Sequence, residues 1–212
     1  MLAALTEQMN GPKWLGEIRG LARKRFADLG FPTTRDEDWR FTNVSPLKEL
    51  EFSAAETDPS AQLEGCLFGS LEGPRLVFVN GFYSAELSHV EELPNGVQVS
   101  SVAKALAQYE SVFKNHFTHR DTDAFAALNT AGFTDGAFVR VPDGVAMETP
   151  IRIYYLNTGG DGATANIRNL IVVGENSQAT VVESWSGRDT AYFNNAITEL
   201  IVGDNAQVEH VK

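Results

Sequence analysis

His116 and His119 stand three residues apart in Asn115-His-Phe-Thr-His, a spacing that on a helix brings two imidazoles to one face, where they could share a metal ion. Two ligands do not complete a coordination sphere, and no cysteine or second acidic cluster lies close in sequence, so a helix end is the expected role. Cys66 is the only cysteine. A nucleophilic thiolate needs a base and an orienting group, and the small, polar, Gly-flanked surroundings of Cys66 offer neither. One thiol also cannot hold an iron–sulfur cluster by itself, since such clusters take several thiolates. Asp36, Glu37 and Asp38 could pair as general acid and base, but they open an expected helix, where carboxylates complement the dipole. Glu183, Glu199, Glu209 and His210 fall on expected strands. Stacked along one face, such carboxylates would suit glycoside cleavage or a metal, although strand alternation sends some of them outward. No residue is assigned a catalytic, cofactor-binding or metal-ligating role on these grounds.

Phosphate-cradling Gly-x-x-x-x-Gly-Lys-Ser/Thr, dinucleotide-binding Gly-x-Gly-x-x-Gly, Gly-x-Ser-x-Gly and His-Glu-x-x-His are all missing from the sequence, so nucleotide hydrolysis by this chain is not expected. The formal net charge of -11 argues against general binding to nucleic acid or an anionic membrane and favours basic partners. Residues 1–48 hold 8 Lys/Arg against 6 Asp/Glu, leaving 9 against 22 in the remainder. The acidity therefore belongs to the later region, where it keeps strand surfaces soluble and blunts their edges. No basic leader and no run of eighteen apolar residues is visible, and a lone cysteine fits a reducing compartment. A cytoplasmic location is expected.

The elements that would position these residues change character along the chain. Pro12 sits at a helix start, Leu15, Ile18, Ala22, Phe26 and Leu29 recur at helical spacing, and Gly30 and Pro32 end the segment. Arg23, Lys24 and Arg25 near its end complement the dipole. Thr34-Arg-Asp-Glu37 has the form of a capping box ahead of Trp39, Phe41 and Leu47. Glu51 to Gly73 is small and polar, with Pro59, Gly65, Gly69 and Gly73, and is expected to be a mobile linker. Arg75 to Val79 leads into Asn80-Gly81, a hairpin signal, and Ser100 to Gly132 returns to helical spacing.

From Asp135 onward each segment is a short apolar run bounded by turn residues. Leu170-Ile-Val-Val-Gly-Glu-Asn-Ser-Gln and Leu200-Ile-Val-Gly-Asp-Asn-Ala-Gln are near copies, with Gly174 and Gly203 29 residues apart, and Val141-Pro-Asp-Gly-Val is a weaker copy upstream. Strand-and-turn units at a fixed period favour stacked rungs, as in a β-helix or solenoid, over a sandwich. The chain ends at Lys212 inside such a strand. Another chain or further rungs are expected to cover that end, and a bare end could pair with a second copy of itself.

The order of motifs resembles the SufD subunits of the SUF iron–sulfur cluster assembly machinery. Pro32-Thr-Thr-Arg-Asp-Glu-Asp-Trp-Arg-Phe-Thr, Phe78-Val-Asn-Gly, Phe125-Ala-Ala-Leu-Asn, Asp135-Gly-Ala-Phe-Val-Arg-Val-Pro, Pro150-Ile and Arg168-Asn-Leu-Ile carry the resemblance. Arg35 to Arg40 looks more like SufD than its paralogue SufB. The resemblance implies an α+β fold: a helical N-terminal domain over residues 1–134, with a short hairpin near 75–84, then the first rungs of a right-handed parallel β-helix over 135–212, truncated at its C-terminal end. It further implies a non-catalytic scaffold working with a SufB-like partner and a SufC-like ATPase. An iron–sulfur cluster would belong only to the full complex, and the partner contacts to parts beyond Lys212. Arg35, Trp39 and Arg40 match the family pattern, with aromatic packing and a salt bridge as their expected role. A carbohydrate-active enzyme or binding module is the alternative.

Overall fold

The computed structural model describes residues 11–63, 71–90, 93–94, 96–117 and 123–212. Helix α1 spans Lys13–Leu29 and stops at Gly30, whose φ of 64° lets its N–H reach the Phe26 carbonyl at 2.8 Å. Leu15, Ala22 and Phe26 are buried and Ile18 half-buried, as the spacing predicts, but Leu29 is exposed. Arg23, Lys24 and Arg25 come before the last turn, which holds no basic residue. The buried face also includes Arg19, which the spacing does not predict. Its guanidinium donates to the Phe133 carbonyl at 2.7 Å and lies 4.6 Å over the Phe133 ring. Burial, helped by Arg23, pulls its pKa down to about 10.

Thr34 to Glu37 forms no capping box. The Asp36 carboxylate instead accepts the Thr33 N–H at 2.7 Å, and a 3-10 turn follows over Glu37–Trp39. Trp39 packs against Phe125, with ring centroids 5.0 Å apart, whereas Phe41 is 94% exposed. Within the expected linker, Ser53–Ala54 forms strand β1. Asn80 donates to the Glu56 carbonyl at 2.7 Å, tying that segment down further.

Strand β2 (Arg75–Val79) turns through Asn80 and Gly81, both at positive φ, into β3 (Phe82–Tyr83), as a type I′ hairpin requires. Strand β4 is Gln98–Ser101, and helices α2 (Val102–Ala105), α3 (Glu110–Phe117) and α4 (Ala124–Gly132) follow. Six strands complete the chain: β5 (Ala137–Val141), β6 (Ile151–Asn157), β7 (Ala163–Val173), β8 (Gln178–Gly187), β9 (Phe193–Val202) and β10 (Gln207–Val211).

The strands form two five-stranded sheets, and from β5 onward successive strands alternate between them. The first runs β1, β7, β5, β4, with β9 also on β7; the second runs β10, β8, β6, β2, β3. Leu76 and Phe78, Val139 and Val141, Ile151 and Ile153, Ile167 and Ile171, and Val181 point from both sheets into one apolar interior. Helices α1, α2 and α3 cover the outer face of the first sheet, where Phe113 meets Phe138 at 4.9 Å and Leu15 and Val102 join the same cluster. Helix α4 is pinned there by Asn129, which donates to the Ile167 and Asn195 carbonyls, both at 2.8 Å.

A helical N-terminal domain followed by a right-handed parallel β-helix is therefore not the architecture. Strands β1 to β4 come from the supposed helical part, and β3 and β4 pair antiparallel with β2 and β5. The result is two facing mixed sheets around a shared interior. The sequence repeat reports the spacing of parallel neighbours within each sheet, a spacing that two facing sheets satisfy as well as rungs do. The turns do stack: Gly174 N–H donates to the Val141 carbonyl at 2.9 Å and Gly203 N–H to the Val173 carbonyl at 2.8 Å. Asn176 and Asn205 take φ of 53° and 56° at matching turn positions.

Asp135 joins the helical layer to β5. Its carboxylate accepts the Ala103 N–H at 2.9 Å and the Gly136 N–H at 2.8 Å, while Ser101 caps α2 through Lys104 N–H at 3.3 Å. Burial raises the Asp135 pKa from 3.8 to about 6, against the pull of those backbone donors. The folded state thus holds a proton that the unfolded chain has released between these two values. The associated stability is present below pH 4 and is lost as pH rises through about 6. Its size is on the order of 3 kcal/mol. In urea denaturation from pH 4.5 to 7.5, the stability of the native protein relative to Asp135→Asn should fall as pH rises and level off above pH 7; a pH-independent difference would show that the carboxyl titrates normally.

A Cβ at Gly136 would lie 2.0 Å from the Arg168 carbonyl oxygen, whereas one at Gly160 meets nothing within 4 Å. Gly136→Ala should cost about 3 kcal/mol, as overpacking does, and Gly160→Ala less than about 0.5 kcal/mol, the scale of an unconstrained surface change. Equal urea midpoints for the two variants would contradict this packing.

Candidate functional site

Strand alternation places a row of polar side chains between the sheets, at positions where the pattern reserves space for apolar ones. Asn169 on β7 lies between Ile167 and Ile171, and Glu183 on β8 follows Val181 on the same face. The Tyr155 hydroxyl donates to Asn169 Oδ1 at 2.7 Å, and the Ala137 N–H donates to the same oxygen at 2.8 Å, which fixes the orientation of the amide. Asn169 Nδ2 then donates to Thr198 Oγ1 at 3.0 Å, and the Thr198 hydroxyl lies 3.3 Å from Glu183 Oε1. His210 Nε2 is 2.9 Å from that same carboxylate oxygen, and Trp185 Nε1–H donates to Oε2 at 3.1 Å.

The Glu183 side chain is fully buried. A carboxylate taken out of water is costly unless its lone pairs are met. Thr198, His210 and Trp185 meet them here, and Lys212 Nζ lies 3.8 Å from Oε2. The Lys212 ammonium also sits 4.8 Å over Trp185, which stacks on Tyr155 at 4.0 Å. Burial, then the Glu183 charge, pushes the Tyr155 phenol well above its ordinary pKa. Tyr155 is accordingly a neutral donor. Chemically, the cluster fixes the orientation of the His210 imidazole against the Glu183 carboxylate. Among the described residues, no group of three or more His, Cys, Asp or Glu side chains could hold a metal ion.

The structure separates the strand carboxylates that the sequence groups together. Glu183 is buried and meets His210 at the edge strand β10, where the imidazole is 24% exposed. Glu199 instead pairs with Arg168 on the outer face of the first sheet, where Arg168 Nη1 also approaches the Thr130 hydroxyl at 3.4 Å and the guanidinium lies 5.2 Å over Phe117. Glu209 is exposed. These acids do not converge on one face as a glycosidase pair would. Asp36, Glu37 and Asp38 are all exposed, and the Thr33 backbone and hydroxyl hold the Asp36 carboxyl below its usual pKa. Arg35 and Arg40 are exposed, and neither forms an ion pair among the described residues, while the aromatic packing of Trp39 is present. His116 is half-buried on α3. Cys66 and His119 lie outside the described residues.

Tyr155, Asn169, Trp185, Thr198 and Lys212 were not singled out by sequence. A signal existed: residues 183 and 185, and 210 and 212, share the strand parity of Val181 and Val208, which face the interior, although Lys212 itself stays 54% exposed.

The comparisons agree with the motif order. A family model described as the SufBD protein N-terminal region matches residues 5–153, and one described as the SUF system FeS cluster assembly SufBD core domain matches residues 155–212. An iron–sulfur cluster assembly SufBD family protein of Synechocystis is 34% identical over 87% of this chain and 44% of its own length. The iron–sulfur cluster assembly proteins SufD of Bacillus subtilis and Escherichia coli are 29% and 28% identical, over 99% and 86% of this chain and 50% and 42% of their own lengths. The chain thus spans about half the length of the curated relatives it matches. Two adjoining family matches and relatives aligned along most of these residues place the chain in the SufB/SufD family, with SufD-like proteins among its relatives.

Proposed function

We propose that the protein is a non-catalytic scaffold subunit in iron–sulfur cluster assembly, acting with a SufB-like partner and a SufC-like ATPase. The observation that carries this reading is the pair of adjoining family matches over residues 5–153 and 155–212, together with relatives named as iron–sulfur cluster assembly proteins. The geometry supports the same reading. The strand acids with catalytic potential are taken up by bonds between strands: Glu183 joins β8 to β9 and β10, and Glu199 joins β9 to Arg168 on β7. A relative named SufB, from Bacillus subtilis, is 26% identical over 90% of this chain, so the two halves of such a pair would share this architecture. In this reading the cluster is cargo of the assembled complex, and the protein works in the cytoplasm. No helix among the described residues is long and apolar enough to cross a membrane.

Affinity purification of the tagged full-length protein from cells that co-express its SufB-like and SufC-like neighbours tests the proposal. Co-elution of both at fixed stoichiometry is expected, with ATP hydrolysis only in the fractions that contain the SufC-like subunit. Elution of the full-length protein alone, or ATP hydrolysis by it in isolation, would overturn the scaffold reading.

A further inference from the structure

Arg75 on β2 and Arg152 on β6 are direct partners in the parallel register of the second sheet, on its outer face. Parallel neighbours stand about 4.8 Å apart, so two cations are held side by side. Like charges set directly opposite each other in a sheet are destabilising, and a guanidinium cannot shed its charge. Among the described residues no carboxylate pairs with either arginine. Their bonds go to main-chain oxygens: Arg75 Nε donates to the Leu87 carbonyl at 2.9 Å, and Arg152 Nη2 to the Gly73 carbonyl at 2.6 Å. Arg152 is only 6% exposed, and its buried Nε has no hydrogen-bond partner.

Both arginines line a cavity of about 730 Å³, together with Gly73, His89, Met147 and Thr149. Cavities of roughly 300–1,000 Å³ are the usual size for small-molecule sites. Gly73, at φ 106°, is held against Pro150, whose carbonyl oxygen a Cβ would meet at 2.6 Å. That close approach sets the carbonyl gripped by Arg152 and so aims the guanidinium. Glu72 and Glu148 also line the cavity; both are exposed, and neither reaches an arginine as an ion pair.

We infer that this cavity is a binding site for a phosphate group carried by a small molecule, seated between Arg75 and Arg152. Two guanidinium forks match a phosphate in charge and in bidentate geometry, whereas a carboxylate would neutralise only one of them. The volume beyond the phosphate leaves room for the rest of an ester. The overall charge of -11 repels anions at long range, so saturable uptake of an anion would report this local geometry. The site is independent of the scaffold reading and stands or falls without it.

Calorimetric titration of the full-length protein with inorganic phosphate, ribose 5-phosphate and acetate, at constant ionic strength, tests it. Both phosphate compounds should bind saturably and acetate at least about tenfold more weakly. Tighter binding of the ester is expected, since the cavity accepts the whole molecule; equal or weaker binding would overturn the ester as occupant in favour of free phosphate. Arg75→Gln and Arg152→Lys should each weaken phosphate binding by at least about tenfold. Should the buried Arg152 variant fail to fold, the partly exposed Arg75 variant decides the matter, its folding checked by circular dichroism. No saturable heat from either phosphate compound up to about 10 mM, acetate binding as tight as phosphate, or unchanged affinity in Arg75→Gln would each overturn the site.

Discussion

Backbone lying directly on backbone is the constraint on which the rest of the molecule depends. At the turns that close β5, β7 and β9, the backbone of one loop lies directly on that of the next, with the Asp143 carboxylate and the Ser177 hydroxyl bonding across the first pair. A Cβ on Gly174 would stand 2.6 Å from the Asp143 nitrogen, and one on Gly203 2.6 Å from the Glu175 nitrogen. Only glycine permits that approach. It sets the offset between parallel neighbours, 32 residues for Phe138 with Leu170 and 29 for Leu170 with Glu199. The inward-facing residues of β5, β7 and β9 take their places from that offset, Val139, Ile171 and the polar Asn169 alike.

The helical layer obeys a second rule, that buried main-chain groups must be met. Several of its long polar contacts end on backbone atoms: Arg19 on the Phe133 carbonyl, Asn129 on two strand carbonyls, and Asp135 on two N–H groups. Aromatic rings fill the space between these anchors, as where Phe31 packs on Phe26, Phe52 and Phe125. The helices are fastened to the first sheet at fixed points, with apolar packing in between.

Much of this was legible in the residues. Alternation and turn glycines mark the strands after Asp135, Asn80-Gly81 marks the hairpin, and helical spacing marks α1. The order of short motifs points to the SufB/SufD family. What closes the sheets was not legible, because β1 and β4 are short strands whose partners lie 110 and 42 residues away, at Ser53 with Ala163 and Gln98 with Arg140. The 29-residue repeat describes neighbours within a sheet and says nothing of a facing sheet, so the β-helix expectation followed from the repeat and failed on the closure. Grouping Glu183, Glu199 and Glu209 failed for a related reason. Their faces depend on strand parity, and parity depends on register. The same parity would have exposed the inward polar row, had polar residues on the apolar face been counted as a set. Arg19 was hidden because a cation in an apolar stripe leaves no mark in hydrophobic spacing.

The polar row bears on how the strands find one another while the chain folds. Sliding any of these strands by a single position exchanges its two faces. On β8 that slip would turn Val182 inward and leave Glu183 without Thr198, His210 and Trp185, and on β7 it would strand Asn169 away from Tyr155. A purely aliphatic interior tolerates such errors, since one branched side chain replaces another at small cost. An interior threaded by matched donors and acceptors does not. The row therefore acts as an error check on strand alignment, penalising near-miss arrangements that greasy contacts alone would accept.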